Sequence, residues 1–576
     1  MRLKNIFNPN YTDQNWRKPL APASNPLALE EISLQSTPGE HAPNPTSKGS
    51  QHHEEPVLRK RHAATAMELF FDLFFVANLG SFTSTHDINT VQNLKSYIGY
   101  ITILWFYWFQ TVLFDLRFHS DSILSRIFTG MHLGVMTGFA VLAPNFDTTD
   151  PLNHPRRFRN MGLLLMVSRL VLVLQYAIVA WYIRGYKKTL SAKIMTTGIL
   201  FASAMVFLAL AVTTQMRRGR YAYLGWYIVP AIEALAMVSI SSIWKVLSFK
   251  GTPIVERFGG MTLIVLGEGT VGMTKAVTSI AKGTSYPTAS SIILITCYII
   301  ILYFMYMIYF DQTDENRFGY IRQQIWAIFH FPLHMSILIT SEGSRAFVLY
   351  SVAKGIYETA FKHSNASKVS ETTSQVVDTL KLIVHNLRAR LRNTQDVPDL
   401  NYIYNNITAI ENLEADSEKL GDLIAEFTGR LFIWIMRSFG IDATPQKSTS
   451  QKDSEQLAKL TDKLFLVFRF FFIAAGLVLI FMAVLHWFSK SHKSRGEVLS
   501  IITTTTIGIG LSLTSIMALY DEQDGESAFY YYLNSGWIVP TVTLAYALVV
   551  AIDNSIIVIS HKRRIRYVAQ AYRQVP

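Results

Sequence analysis

The sequence predicts an all-α fold: a polytopic membrane protein of about twelve transmembrane helices, built as two parallel six-helix repeats related by pseudo-two-fold symmetry. Three observations carry that prediction. Half of the residues are apolar and only 16% are charged, against roughly 25% charge in a soluble domain. Apolar runs long enough to cross a hydrocarbon core of roughly 30 Å recur along the chain. Short motifs of the first half return, in the same order, in the second. Lipid cannot satisfy exposed backbone N–H and C=O groups, so runs of this kind must be helices.

Residues 1–58 are rich in Pro, Ser, Asn and His with no sustained hydrophobic period, and read as a disordered cytosolic tail. The first apolar run starts only after Arg59-Lys60-Arg61, so no signal peptide is expected. Spans one to six are expected at 66–84, 97–116, 126–144, 160–183, 194–214 and 222–244, making 59–250 the first repeat. Spans seven to nine, at 257–281, 288–310 and 324–343, open the second repeat within 251–350. The segment 351–460 is expected as a non-cytosolic insertion with amphipathic helices at 374–392 and 412–440, its run Leu431–Met436 resting in the interface or re-entering the membrane. Spans ten to twelve, at 463–488, 498–519 and 530–556, complete the repeat within 461–560, and 561–576 is a basic cytosolic tail.

Orientation follows from Lys and Arg near the span ends. The side shared by both termini carries Arg59 to Arg61, Arg184 to Lys193, Lys490 to Arg495 and Lys562 to Arg566. Basic residues there outnumber those of the opposite loops, which puts both termini in the cytosol. The insertion then lies on the far side, where its two sequons, at Asn365 and Asn406, would be glycosylated. A plasma membrane location is favoured, and an internal membrane with a lumenal insertion also fits. The formal charge of +12 is spread over short loops rather than gathered in a patch, so no nucleic-acid partner is expected. The expected partners are the lipid bilayer and a small ion or solute, and a homodimer is compatible with the pattern. The single cysteine, Cys297, excludes a disulfide framework.

The repeat register rests on five matches. GWYIVP at 225–230 recurs as GWIVP at 536–540, and VSRLVLVL at 167–174 as VFRFFFIA at 467–474, which places Arg169 opposite Arg469. Spans two and eight end alike, with Asp115 and Asp311. His132 corresponds to His330, and MELFFDLFFVANLG at 67–80 to VERFGGMTLIVLGE at 255–268. The last match sets Glu68 against Glu256, Asp72 against Gly260 and Gly80 against Glu268. An even number of spans per copy makes the repeats parallel, with an axis along the membrane normal.

ELFFDLFFV at 68–76, the Trp-rich second span, ERFGGMTLIVLGE at 256–268 and HFPLH at 330–334 followed by SEG resemble the low-temperature-requirement A (LtrA) family of multi-pass membrane proteins. The resemblance covers about 62–345 well and the last three spans more loosely. The long tail and insertion depart from the shorter bacterial pattern and suggest a eukaryotic, fungal member. The family is named for a cold-growth phenotype, so the resemblance implies fold and location rather than an activity.

Ionisable residues at membrane depth are the candidates for function, because each costs a few kcal/mol there unless paired or hydrated. Glu268 lies mid-span between two glycines; an inter-helix structural bond is its alternative. Glu68 and Asp72 share one helical face, but Thr65-Ala66-Met67-Glu68 also fits a capping box. His330 and His334 have HxxxH spacing, compatible with a metal, yet no third ligand is evident. A titrating or hydrogen-bonded role for His330 and its counterpart His132 is preferred. Arg169 and Arg469 need counter-charges, and the acids of spans one and seven are the expected partners in each half. Glu256, Asp115 and Asp311 sit at span ends, where surface ion pairs are ordinary. No P-loop, HExxH, paired CxxC or GxSxG occurs, so no catalytic residue, metal or cofactor is assigned. The pattern predicts a transporter or channel for a small ion or solute, proton- or cation-linked through carboxylates of spans one and seven. Two alternatives stand: a membrane enzyme acting on lipid or lipid-linked groups, and a sensor or scaffold working through 351–460.

Overall fold

The computed structural model describes residues 64–573 apart from 119–120, 148–153, 183, 185–186, 216–220, 245–248, 250–251, 285–287, 313–319, 364–372, 392–396, 413–418, 442–452 and 520–527. The expected tail at 1–58 and the sequon at Asn365 lie outside the described residues. The described residues are helical throughout, without a strand. The chain folds as two compact units. Unit 1 holds the chain up to Phe82 together with Gly99–Ile254; unit 2 holds Thr83–Ile98 together with the chain from Val255 onward.

The first six long helices are α1 (Ala66–Thr83), α2 (Val91–Phe118), α3 (Ile123–Leu142), α4 (Pro155–Tyr182), α5 (Lys187–Gln215) and α6 (Gly225–Ile243). Their starts are local chemistry. Thr65 and Glu68 form the reciprocal capping box of α1, with Thr65 N–H donating to Glu68 Oε2 at 2.7 Å and Glu68 N–H to Thr65 Oγ1 at 3.4 Å. Ser122 caps α3 by accepting from Ser125 N–H, and Pro155 opens α4, where its missing N–H costs nothing. Most of α2 is buried within unit 1, with Trp105 stacked on Phe109 at 4.9 Å and Tyr107 and Trp108 fully enclosed. Asn78 ties α1 to α3 through the Met136 carbonyl at 3.0 Å.

Unit 2 continues with α7 (Ile254–Gly283), α8 (Ala289–Asp311), α9 (Tyr320–His363), α10 (Thr373–Arg390), α11 (Val397–Glu411), α12 (Lys419–Ser438), α13 (Asp453–Ser489), α14 (Arg495–Thr514), α15 (Ala528–Asn534) and α16 (Ile538–Arg573). The 44 residues of α9 rise about 66 Å at 1.5 Å per residue, twice the hydrocarbon thickness. The apolar run of span nine ends near 343, but Phe347, Val352, Ile356 and Ala360 keep an apolar face buried. Of the insertion helices, α10 and α12 pack against α9, α12 also packs against α13, and α11 packs between α10 and α12. The insertion holds one helix more than expected, α11, because its polar residues mask an i, i+3, i+7 core of Leu400, Ile403, Ile407 and Ile410. Leu431, Ile433, Trp434, Ile435 and Met436 of α12 are buried against protein, so this run is covered by helix packing. Gly440 closes α12 at φ +75°, with Ile441 N–H reaching back to the Met436 carbonyl.

Among the described residues, ten helices are long and apolar enough to cross a membrane: α1 to α6, α8, α13, α14 and α16. The protein is a multi-pass integral membrane protein. Helices α7 and α9 match the other two expected spans in length, but glycines, threonines, histidines and Glu268 lower their apolarity. Small residues let neighbouring helices approach: a Cβ added at Gly476 of α13 would lie 2.2 Å from the Gly508 carbonyl of α14.

Candidate functional site

In unit 1 the sequence-predicted residues are engaged with one another's helices. Asp72 is fully buried and accepts from Trp108 Nε1 at 2.8 Å. Glu68 closes the α1 cap described above. His132 contacts Gln175 Oε1 through Nε2 at 2.9 Å, which makes Nε2 the protonated nitrogen; Tyr107 therefore donates its hydroxyl to Nδ1, also at 2.9 Å. Asp115 stays half-buried at the end of α2, and Arg117 beside it donates to Ser241 Oγ while lying 4.1 Å over the Phe249 ring.

Arg169 corrects one expectation. Its partner is Glu233 of α6, at 3.0 Å with both side chains completely buried, rather than an acid of span one or seven. The reason is depth and direction: α4 and α6 both flank α5, and Glu233 meets Arg169 inside unit 1. Glu233 is not among the residues the sequence patterns single out. The signal was available, since it is a carboxylate inside an apolar run three residues beyond the GWYIVP motif. Arg469 gives Nη2 to the Ala518 carbonyl at 2.8 Å, not to a carboxylate of span seven.

Unit 2 concentrates its polar groups on α7, α8 and α9. Glu268 is 6% exposed. Its Oε1 accepts from the Thr83 hydroxyl at 2.9 Å, and the same hydroxyl accepts from Lys275 Nζ at 3.2 Å. Oε2 of Glu268 is buried without a hydrogen bond, as is Ser341 Oγ. Tyr298 pins the two helices around this point by reaching both the Gly269 and Ser341 carbonyls, at 3.0 and 2.9 Å. A Cβ at Gly269 would fall 2.8 Å from Ser341 Oγ, so glycine is what permits this approach. Glu342 lies within electrostatic reach of Glu268. It is held by Arg345, which also pairs with Asp87 at 2.9 Å. These three line an open cleft with Lys463 and Ile441.

Further along α9, His330 and His334 bond to Tyr309 and Thr262 respectively, at 2.8 and 2.9 Å. Among the described residues no group of three His, Cys, Asp or Glu side chains is placed to hold a metal. Glu256 and Asp311 are exposed at helix ends. Asn406 lies in α11 with its side-chain nitrogen buried.

A bundle of long apolar helices with buried polar groups in unit 2 defines a class: a polytopic membrane protein. The family model described as "Bacterial low temperature requirement A protein (LtrA)" matches residues 63–379. That is more than half of the chain, and the protein belongs to the LtrA family. No significant match is found among the curated proteins or the solved structures.

Proposed function

We propose that the protein moves a small cation or proton across the membrane, with Glu268 as the carboxylate that takes it up. One observation carries the reading: Glu268 Oε2 is buried and unbonded, and Lys275 reaches Thr83 rather than the carboxylate itself. A purely structural carboxylate in apolar surroundings would have its charge met by a direct cationic partner, because an uncompensated one costs a few kcal/mol. Glu233 is the internal contrast. It too has an unbonded oxygen, but Arg169 cancels its charge directly.

Supporting groups lie beside Glu268. Ser341 supplies a second unbonded buried oxygen, and Glu342 stands at the wall of the cleft that Asp87 and Arg345 line. With the basic helix ends in the cytosol, as the positive-inside rule favours, that cleft faces the non-cytosolic side and Glu268 takes its ion from there. The narrower role for span one follows from its acids: Glu68 is spent on the helix cap, and Asp72 is bonded to Trp108.

The test is flux in proteoliposomes under imposed proton, sodium and potassium gradients. Wild type conducts at least one of these, and Glu268→Gln reduces the flux at least tenfold while its melting temperature in detergent is preserved. A wild-type protein that moves none of them, with correct folding verified, refutes the reading.

A further inference from the structure

The histidines of α9 belong to a hydrogen-bonded cluster whose protons are assigned by its own acceptors. His330 Nδ1 faces the Trp326 carbonyl at 2.8 Å. A carbonyl only accepts, so Nδ1 carries the proton and Nε2 is the acceptor for the Tyr309 hydroxyl. Thr262 gives its single hydroxyl proton to the Phe258 carbonyl at 2.9 Å. His334 Nε2 must therefore be the donor in its contact with Thr262. The two pairs meet where the His330 and His334 rings stand 5.4 Å apart, so two histidines, a tyrosine and a threonine from three helices lie in one buried cluster. Phe258 and Trp326 pack edge-on against the His330 ring at 4.9 and 4.1 Å, enclosing that side.

Tyr309 also forms part of the wall of a small cavity between α8, α9 and α13. Gln312, Trp326, His486 and Ser489 complete its polar lining. His486 is 7% exposed, and its Nδ1 is buried with no hydrogen-bond partner. A buried imidazole nitrogen without a partner, beside a polar cavity, is a place for an exchangeable water. The charged groups around it are those of the basic end of the bundle: Lys490 and Lys493 in the loop after α13, and Glu497 at the start of α14. Lys490 pairs with Glu497 at 2.7 Å, and its carbonyl is held by Arg322.

We infer that this cavity is a proton port, through which His486 and Tyr309 pass protons between water at the basic end of unit 2 and the buried His330–His334 cluster. In the inward step, His486 Nδ1 takes the excess proton of a hydronium in the adjoining water, leaving neutral water, and becomes an imidazolium. It returns that proton to a cavity water, which protonates the Tyr309 oxygen as Tyr309 releases its own proton to His330 Nε2. Each O–H or N–H bond broken is matched by one formed, so no phenolate accumulates and one positive charge moves onto His330. Tyrosine suits the middle position because its hydroxyl donates and accepts at once, and imidazole because it has two ring nitrogens that can each hold or give up a proton. The cluster lies about four turns of α9, some 22 Å at 1.5 Å per residue, from Arg345 at the other end of the polar stripe. The port therefore serves the end of the bundle opposite to the cleft. The inference rests on the reading of Glu268 as the ion-binding carboxylate, and it names the proton as the coupling ion.

The experiment is dye-reported proton flux in proteoliposomes of the full chain. Tyr309→Phe removes only a hydroxyl and is expected to cut proton flux at least tenfold, whereas Tyr303→Phe, on an exposed position of the same helix, leaves it unchanged. His486→Ala is expected to lose flux to the same degree and to recover it when imidazole is added to the buffer, a rescue that a packing role would not produce. Flux at the wild-type rate in Tyr309→Phe and His486→Ala, with Glu268→Gln inactive, overturns the port and leaves the transport reading standing. Cation flux without proton flux in the wild type also overturns the port. No flux of any ion overturns both. Should Tyr309→Phe fail to fold, His486→Ala decides alone: imidazole rescue supports the port, and loss without rescue overturns it.

Discussion

The Arg169–Glu233 pair offers the sharpest test of how unit 1 is held together. Both side chains are completely excluded from solvent and 3.0 Å apart. With an effective dielectric constant near 20, two unit charges at that distance attract by about 5 kcal/mol. Ordering and desolvating them costs several kcal/mol per ion, so the pair as a whole is close to neutral relative to an apolar pair of the same volume. Breaking it is different. Glu233→Ala leaves a guanidinium buried with only Ser168 Oγ at 3.0 Å and the Phe207 ring at 5.4 Å to receive it. The expected loss is about 3–5 kcal/mol, or roughly 150- to 5,000-fold in the folded-to-unfolded ratio. For a unit of this size that is roughly 6–20 °C in melting temperature. The double variant Arg169→Met with Glu233→Met is expected to regain most of this, because it removes both charges while keeping volume. Thermal unfolding in detergent, followed by tryptophan fluorescence, measures all three proteins. A double variant as unstable as the single, or a single variant as stable as wild type, would refute the ion-pair reasoning.

Two further outcomes test packing and topology. Gly476→Ala is expected to destabilise unit 2 by about 2 kcal/mol or more, since its Cβ would meet, besides the Ser512 hydroxyl, the Gly508 carbonyl and Ser512 nitrogen of the α14 backbone, which cannot yield. Gly510→Ala, which meets nothing within 4 Å, is expected to be neutral or slightly stabilising; equal effects at the two positions would discredit the α13–α14 approach. On expression in a eukaryotic host, Asn406→Gln is expected to leave any glycosidase-sensitive mobility shift intact, because the acceptor nitrogen is enclosed in α11. A shift that disappears in this variant would mean that α11 packs only after modification, or not at all.

Much of the fold was legible in the sequence because the membrane imposes it. Hydropathy located nearly every helix of the bundle, since lipid leaves the backbone no alternative. The Thr65–Glu68 capping box was equally legible, being a contact within four residues. The failures share a cause. The extent of α9 beyond residue 343, and the existence of α11, depend on an apolar face that only a neighbouring helix completes. The counter-charge of Arg169 was sought on the wrong helices because span number gives no azimuth. Glu233 and His486 drew no notice, although each was an ionisable residue in an apolar run.

The sequence by itself determined a multi-pass helical protein of the LtrA family, and marked Glu268, His330 and His334 as polar groups at membrane depth. Periodicity and composition suffice for that, because each residue's cost in lipid is a property of the residue. Which of those groups are compensated is a property of pairs, and only the tertiary structure decided it. It joined Asp72 to Trp108 and Arg169 to Glu233. It left one oxygen of Glu268 and one nitrogen of His486 without partners. A hydrogen bond between residues far apart in the chain leaves no local trace in either, so the same carboxylate reads identically whether it is structural or open to an ion.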